Sequence, residues 1–192
     1  MWYIYHIEHP FFERYKINPD PWPWNSDHEE WMKLLKKSIK LVSFNFLVVF
    51  PVALVASYKI DNWEVVQLLD MKNLPDSTTL IFTIIFCMIC EDFTFHISHR
   101  ILHLKAIYPY IHKIHHTHII TVGIAAEYTH PIEFLLGNTL PTMMGPLILG
   151  SKMHFFTFMC WGAIRLGETI DGHCGYEFSW SPYRLIPFSA SS

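Results

Sequence analysis

From residue 39 to residue 58 the chain reads IKLVSFNFLVVFPVALVASY, a run with no charged side chain after Lys40. Twenty residues of α-helix rise about 30 Å, the thickness of a bilayer's hydrocarbon core. No water satisfies a peptide group at that depth, so a lone run of this length predicts a membrane-spanning helix. Pro51 lies inside it and predicts a local break in the helical ladder. The helix is expected to begin earlier, at HEEWMKLLKKSIK. Ser26 or Asp27 can cap it, and Glu29 and Glu30 fall in the first turn, where the helix dipole favours negative charge.

The rest of the chain is read around this span. Residues 1–28 are rich in aromatics, and Pro19, Pro21 and Pro23 predict an irregular segment. Its opening, MWYIYHIEHPFFERYK, has no uninterrupted apolar core of the secretory type. Trp22 and Trp24 suit either a membrane–water boundary or a packed loop. Residues 29–78 form a membrane helix and a following loop; the polar stretch 59–77 is expected to hold a short interfacial helix at NWEVVQLLDM. A second apolar run, TLIFTIIFCMIC (79–90), flows into EDFTFHISHRILH, so one helix is expected to carry histidines out of the membrane. IEFLLGNTLPTMMGPLILG (132–150) and HFFTFMCWGAIRL (154–166) follow, separated by Gly150, Ser151 and Lys152; a broken hairpin and two clean spans are both compatible with them. The fold class is therefore all-α, an integral membrane helical domain. Lys33, Lys36, Lys37, Lys40, Arg100, Lys105 and Lys113 gather at one end of the helical pair and place that end in the cytosol. With 14 basic and 17 acidic side chains there is no concentrated basic face, and a nucleic-acid partner is not expected. CMIC at 87–90 has the spacing of a redox or metal pair, but both thiols sit in an apolar run and read as small hydrophobic residues.

The chemistry is announced by HRILHLKAIYPYIHKIHH, residues 99–116, with five imidazoles in eighteen residues. Helical residues three, four and seven apart share a face, so Asp92, His96, His99 and His103 form one stripe, and His112, His115 and His116 another. Pro109 predicts a turn between them that lets the stripes face each other. Convergent imidazoles suit iron, zinc, copper or nickel. A catalytic zinc has three protein ligands and a water; five histidines, with His130 and His173 still to place, predict two metals. His6, His9, His28, His118 and His154 are assigned ordinary polar roles. Among Glu127, Glu133, Glu168, Asp171 and Asp92, only Asp92 lies on a histidine stripe, and it is the expected partner for an imidazole N–H.

These motifs carry a resemblance. HRILH, HKIHH, AEYTHPIE, RLGETIDGHCGYEFSWSP and RLIPF are similar to the fatty acid hydroxylase and sterol desaturase superfamily, and their wording is most similar to methylsterol monooxygenases, which oxidise methyl groups at sterol carbon 4. The similarity runs over roughly residues 11–190, with 79–192 as the fatty acid hydroxylase-like part. The resemblance implies a multi-pass endoplasmic-reticulum enzyme whose histidine-rich dimetal centre, two iron ions, faces the cytosol. It implies O2 as oxidant and electrons from NAD(P)H through cytochrome b5 or its reductase. It assigns His99 and His103 to a first box, His112, His115 and His116 to a second, His173 to an intervening position, and matches His130 as well. Relatives often carry a histidine where this chain has Phe95, so His96 is read as a neighbour. They also carry a third box of the HxxHH kind soon after the segment like RLIPF, whereas this sequence ends at FSASS. A sterol desaturase, a fatty acid hydroxylase, a noncatalytic truncated membrane protein and a zinc membrane hydrolase are the alternative expectations.

Overall fold

A computed structural model describes residues 2–61 and 74–185. It is all-α over these residues, apart from one isolated antiparallel bridge between Lys16 and Tyr176. Three helices are long and apolar enough to cross a bilayer: His28–Ala56, Ser77–Leu102 and Pro131–Lys152. We call them the first, second and third spans. Only 6% of the first and 11% of the second is buried inside the molecule, against 39% of the third. Large apolar side chains such as Leu47, Val52, Phe82, Ile89 and Phe93 therefore point outward. A water-soluble domain does not tolerate so much contiguous apolar surface, but the lipid core is the solvent that matches it.

The first span begins where expected: the Asp27 side chain accepts the Glu30 N–H at 2.9 Å, with Glu29 and Glu30 in the first turn. The disturbance at Pro51 takes the form of a widened π turn, Asn45–Val49, closed by Phe50 N–H onto the Asn45 carbonyl. A proline ring crowds the carbonyl four residues earlier and offers no N–H, and the wide turn absorbs that defect. The third span repeats the device, with a π turn at Phe134–Thr139 just before Pro141. The helix Phe50–Asp61 reaches into the expected loop; NWEVVQLLDM lies outside the described residues.

Asp76 caps the second span, accepting from Thr78 and Thr79 N–H. Near the end of the third span the chain reverses at Gly150, whose φ of 53° and ψ of −129° are open to glycine alone. The return helix, Phe155–His173, completes a hairpin whose first arm is interrupted by the π turn and Pro146. The third span meets the second at Gly145, where an added Cβ would sit 2.7 Å from the Cys87 Cα. Cys87, Met153 and Trp161 form the core there, and Trp161 donates its indole N–H to the Thr142 carbonyl at 2.9 Å. Cys87 is thus a small packing residue in this structure.

The N-terminal segment is less irregular than the prolines suggested. Short helices occupy Trp2–Ile7, Pro10–Glu13 and Pro23–Ser26. Pro10 and Pro23 stand at first helical positions, where the missing N–H costs nothing. Trp22 is 1% exposed and packs with Tyr5, Tyr176 and Phe178, so it is a packed-loop residue. This segment is tied to the chain just after the return helix. Ile17 N–H donates to the Gly175 carbonyl, Glu177 N–H donates to the Tyr15 carbonyl, and the Tyr5 hydroxyl donates to the Cys174 carbonyl at 2.8 Å.

Candidate metal centre

The second span ends at Leu102, and His103 caps it with its N–H on the His99 carbonyl. The next residues turn back through Pro109, and a 3₁₀ helix, His112–Thr117, carries the second set of imidazoles. The tighter winding differs from the α-helical stripe expected there, yet it delivers His112 and His116 to the same place. Nε2 of His103 lies 3.1 Å from Nε2 of His99 and 3.1 Å from Nε2 of His112, and Nε2 of His116 lies 3.0 Å from that of His112. The ligand atoms of His99, His103 and His112 all lie within 4.8 Å of one another.

Four Nε2 atoms are gathered without enough protons to join them all by hydrogen bonds. The His112 Nδ1–H donates to Glu133 Oε1 at 2.7 Å, and in the neutral ring this places the Nε2 lone pair toward the others. For a metal–nitrogen bond of roughly 2.0–2.1 Å, two nitrogens at right angles lie about 2.9 Å apart and two at a tetrahedral angle about 3.4 Å. The three consecutive contacts fall between these limits, and His99, His103 and His112 form the set that can converge on one transition-metal ion.

His115 and His173 form an adjoining pair, with ring centroids 5.3 Å apart, and His115 lies 5.7 Å from His112. The His173 Nδ1–H donates to the Thr169 carbonyl at 2.9 Å, freeing its Nε2. Nδ1 of His115 is buried with no hydrogen-bond partner. Burial holds His103, His116 and His173 below the usual imidazole range, with neighbouring imidazoles adding to the effect at His103 and His116. For His115 burial, then His173, brings the value down to about 3. Neutral imidazoles are the form that binds metal.

Two expected residues are placed elsewhere. His130 accepts the Ile132 N–H on Nδ1 at 3.2 Å, capping the turn Pro131–Glu133. In this arrangement Nδ1 of His130 serves the turn, and the ring lies near Glu133. Asp92 hydrogen-bonds to no histidine and lies beside Glu91 and Glu168. Seven residues from His99, it is two turns down the helix and out of reach. Glu133 makes the contact instead, because the chain reversal brings the start of the third span over the cluster.

His96 is exposed, and Phe95 stacks on His99 with centroids 5.1 Å apart. His118 is a core residue, its Nε2 2.9 Å from the Ser38 hydroxyl. His9 and His154 cap helices. Sequence reasoning missed two features. Tyr108, next to the Pro109 turn, stacks against His103 with centroids 5.7 Å apart. Arg165, inside the apolar run 154–166, pairs with Glu91 and lies 3.7 Å from Glu168, linking the return helix to the second span. An arginine in such a run was itself the available signal, since a buried charge needs a partner.

Comparison with known proteins bears on the same residues. The family model described as fatty acid hydroxylase matches residues 84–191. A protein of Dictyostelium discoideum named as a methylsterol monooxygenase is 35% identical over 95% of this chain and 63% of its own length. A methylsterol monooxygenase of Arabidopsis thaliana is 35% identical over 92% of this chain and 55% of its own. A very-long-chain aldehyde decarbonylase of Oryza sativa subsp. japonica is also 35% identical, over 80% of this chain and 56% of its own. The chain thus spans about 55–63% of the length of these relatives. No solved structure matches it.

Proposed function

The chain belongs to the fatty acid hydroxylase family, and on that premise we propose that it is an oxidoreductase of membrane lipids, acting on a sterol and preferentially at the 4-methyl group. The observation that carries this is the convergence of the Nε2 atoms of His99, His103, His112 and His116 at the membrane end of the second span. His99, His103 and His112 would hold one iron, and His115, His116 and His173 would contribute to a second. An unactivated methyl C–H bond is beyond side-chain acid–base chemistry, and bound iron with O2 supplies the oxidising power. The chain's own part is to hold the imidazoles neutral and convergent and to present them where a sterol already resides. NAD(P)H through cytochrome b5 is the proposed electron source, and the endoplasmic reticulum, with the cluster on the cytosolic face, the proposed location. Lys33, Lys36, Lys37, Lys40, Arg100, Lys105 and Lys113 support that orientation.

Similarity to aldehyde decarbonylases at the same identity makes a long-chain aldehyde the rival substrate. Both are tested with the protein purified in detergent together with whatever its transcript encodes after Ser192. Iron and zinc per chain are measured, then turnover of a 4,4-dimethylsterol and of a long-chain aldehyde under O2 with NAD(P)H, reductase and cytochrome b5. About two irons and an oxidised 4-methyl group are expected. Aldehyde turnover alone transfers the assignment to that substrate class. Zinc without oxygen consumption favours a hydrolase, and sterol binding without metal favours a noncatalytic protein.

A further inference from the structure

We propose that Glu133 is the positioning residue of the histidine cluster, holding His112 so that its Nε2 lone pair faces His103 and His116. This rests on the metal-centre reading above and extends it to a residue outside the imidazole set.

The contact is short and dry: His112 Nδ1 to Glu133 Oε1 is 2.7 Å, with side-chain exposures of 1% and 4%. Among the described residues no other carboxylate bonds to a histidine of the cluster. A plainer role exists for Glu133, which sits in the first turn of Pro131–Glu133, where acids are favoured by the helix dipole. That role does not account for its depth. The His130 side chain already satisfies the turn, and a charge favoured by the helix dipole does not require burial. Glu133 instead lies buried with its second oxygen, Oε2, unpartnered. A carboxylate in that position is costly unless a positive charge lies near it. A cation held on the far nitrogen of His112 provides one, and carboxylate–histidine–metal triads have this form.

The backbone fixes the pair. At Gly137 a Cβ would stand 3.1 Å from the Leu102 Cδ1 and 3.5 Å from the Glu133 Cγ, so the π turn Phe134–Thr139 passes against the end of the second span. Glu133 is thereby carried on one span and His103 on another, with His112 between them. Without the acceptor, His112 is free to place its proton on Nε2, in the middle of the cluster, or to turn its ring.

The test compares wild type with Glu133→Gln, which keeps size and a carbonyl acceptor, and Glu133→Ala, which removes the acceptor. ¹⁵N-histidine NMR of the metal-free protein, assigned with His112→Gln, reads the tautomer, and anaerobic titration with ferrous iron alone reads affinity. Circular dichroism and melting show that each variant is folded. We expect a downfield Nδ1 proton on His112 in wild type that is lost in Glu133→Ala, and iron affinity lowered about 10–100-fold in Glu133→Ala and less in Glu133→Gln. Affinity within twofold of wild type in both variants, with the tautomer unchanged, overturns the proposal and leaves the metal reading standing. If wild type binds no iron, the metal reading fails, and the Nδ1 signal alone decides: its loss on removing Glu133 supports the positioning role, its absence from wild type overturns it.

Discussion

At the scale of single residues, histidines of one chain divide by what their two nitrogens are given to do. His112 and His173 donate from Nδ1 and keep Nε2 free; His130, His9 and His154 accept backbone N–H groups on Nδ1. Spacing in the sequence cannot make that distinction, because tautomer follows from what lies opposite each nitrogen. The same holds for the choice of Glu133 over Asp92. A pH dependence follows from the buried imidazoles. Burial lowers His118 to about 4 and His115 to about 3, from an ordinary value near 6.5. Well above pH 6.5 both are neutral in folded and unfolded chains, and they add no pH dependence there. As pH falls below 6.5 the unfolded chain takes up the protons first, so stability declines, levelling only below the folded values. The melting temperature of metal-free protein is therefore expected to be flat above pH 7 and to fall from pH 6.5 towards pH 4. Replacing His118→Gln, which can keep the Ser38 contact, is expected to shallow that fall; an unchanged slope would assign the effect to other groups.

At the scale of elements, the apolar runs and the cap at Asp27 were legible because length, capping and the charge-free stretches act locally. The π turns were not, although Pro51 and Pro141 marked where they fall. A proline announces a defect in the ladder, and whether the helix kinks, stops or widens depends on what packs beside it. Gly145 is a second case. Its sequence context, TMMGPLIL, gives no hint that a neighbouring backbone comes so near. Because a Cβ there would meet the Cys87 Cα at 2.7 Å, Gly145→Val is expected to push the second and third spans apart, at a cost of about 1–3 kcal/mol. Thermal unfolding in detergent measures it. A variant as stable as wild type would mean that these helices do not pack this closely.

At the scale of the whole molecule, the N-terminal segment acts as a brace behind the cluster. The Tyr5 hydroxyl donates to the Cys174 carbonyl, next to His173, and accepts the Gly123 N–H at 3.3 Å. Burial raises the Tyr5 phenol to about 12, so it remains a donor throughout the working range. Tyr5→Phe strands both backbone groups and is expected to cost about 1–3 kcal/mol, seen as a lower denaturation midpoint; no change would mean that water replaces the hydroxyl. By itself the sequence determined that the chain is a helical membrane protein of this family and which segments carry the imidazoles. Hydrophobic length and local histidine spacing are properties of contiguous residues. Only the tertiary structure decided that His112, His103, His99 and His116 converge, that Nδ1 of His130 serves a turn while Asp92 lies beside Glu91 and Glu168, and that Glu133 and Arg165 reach across between helices. Those outcomes depend on hydrogen-bond partners up to tens of residues away in the chain, brought together by helix packing and the turns at Pro109 and Gly150.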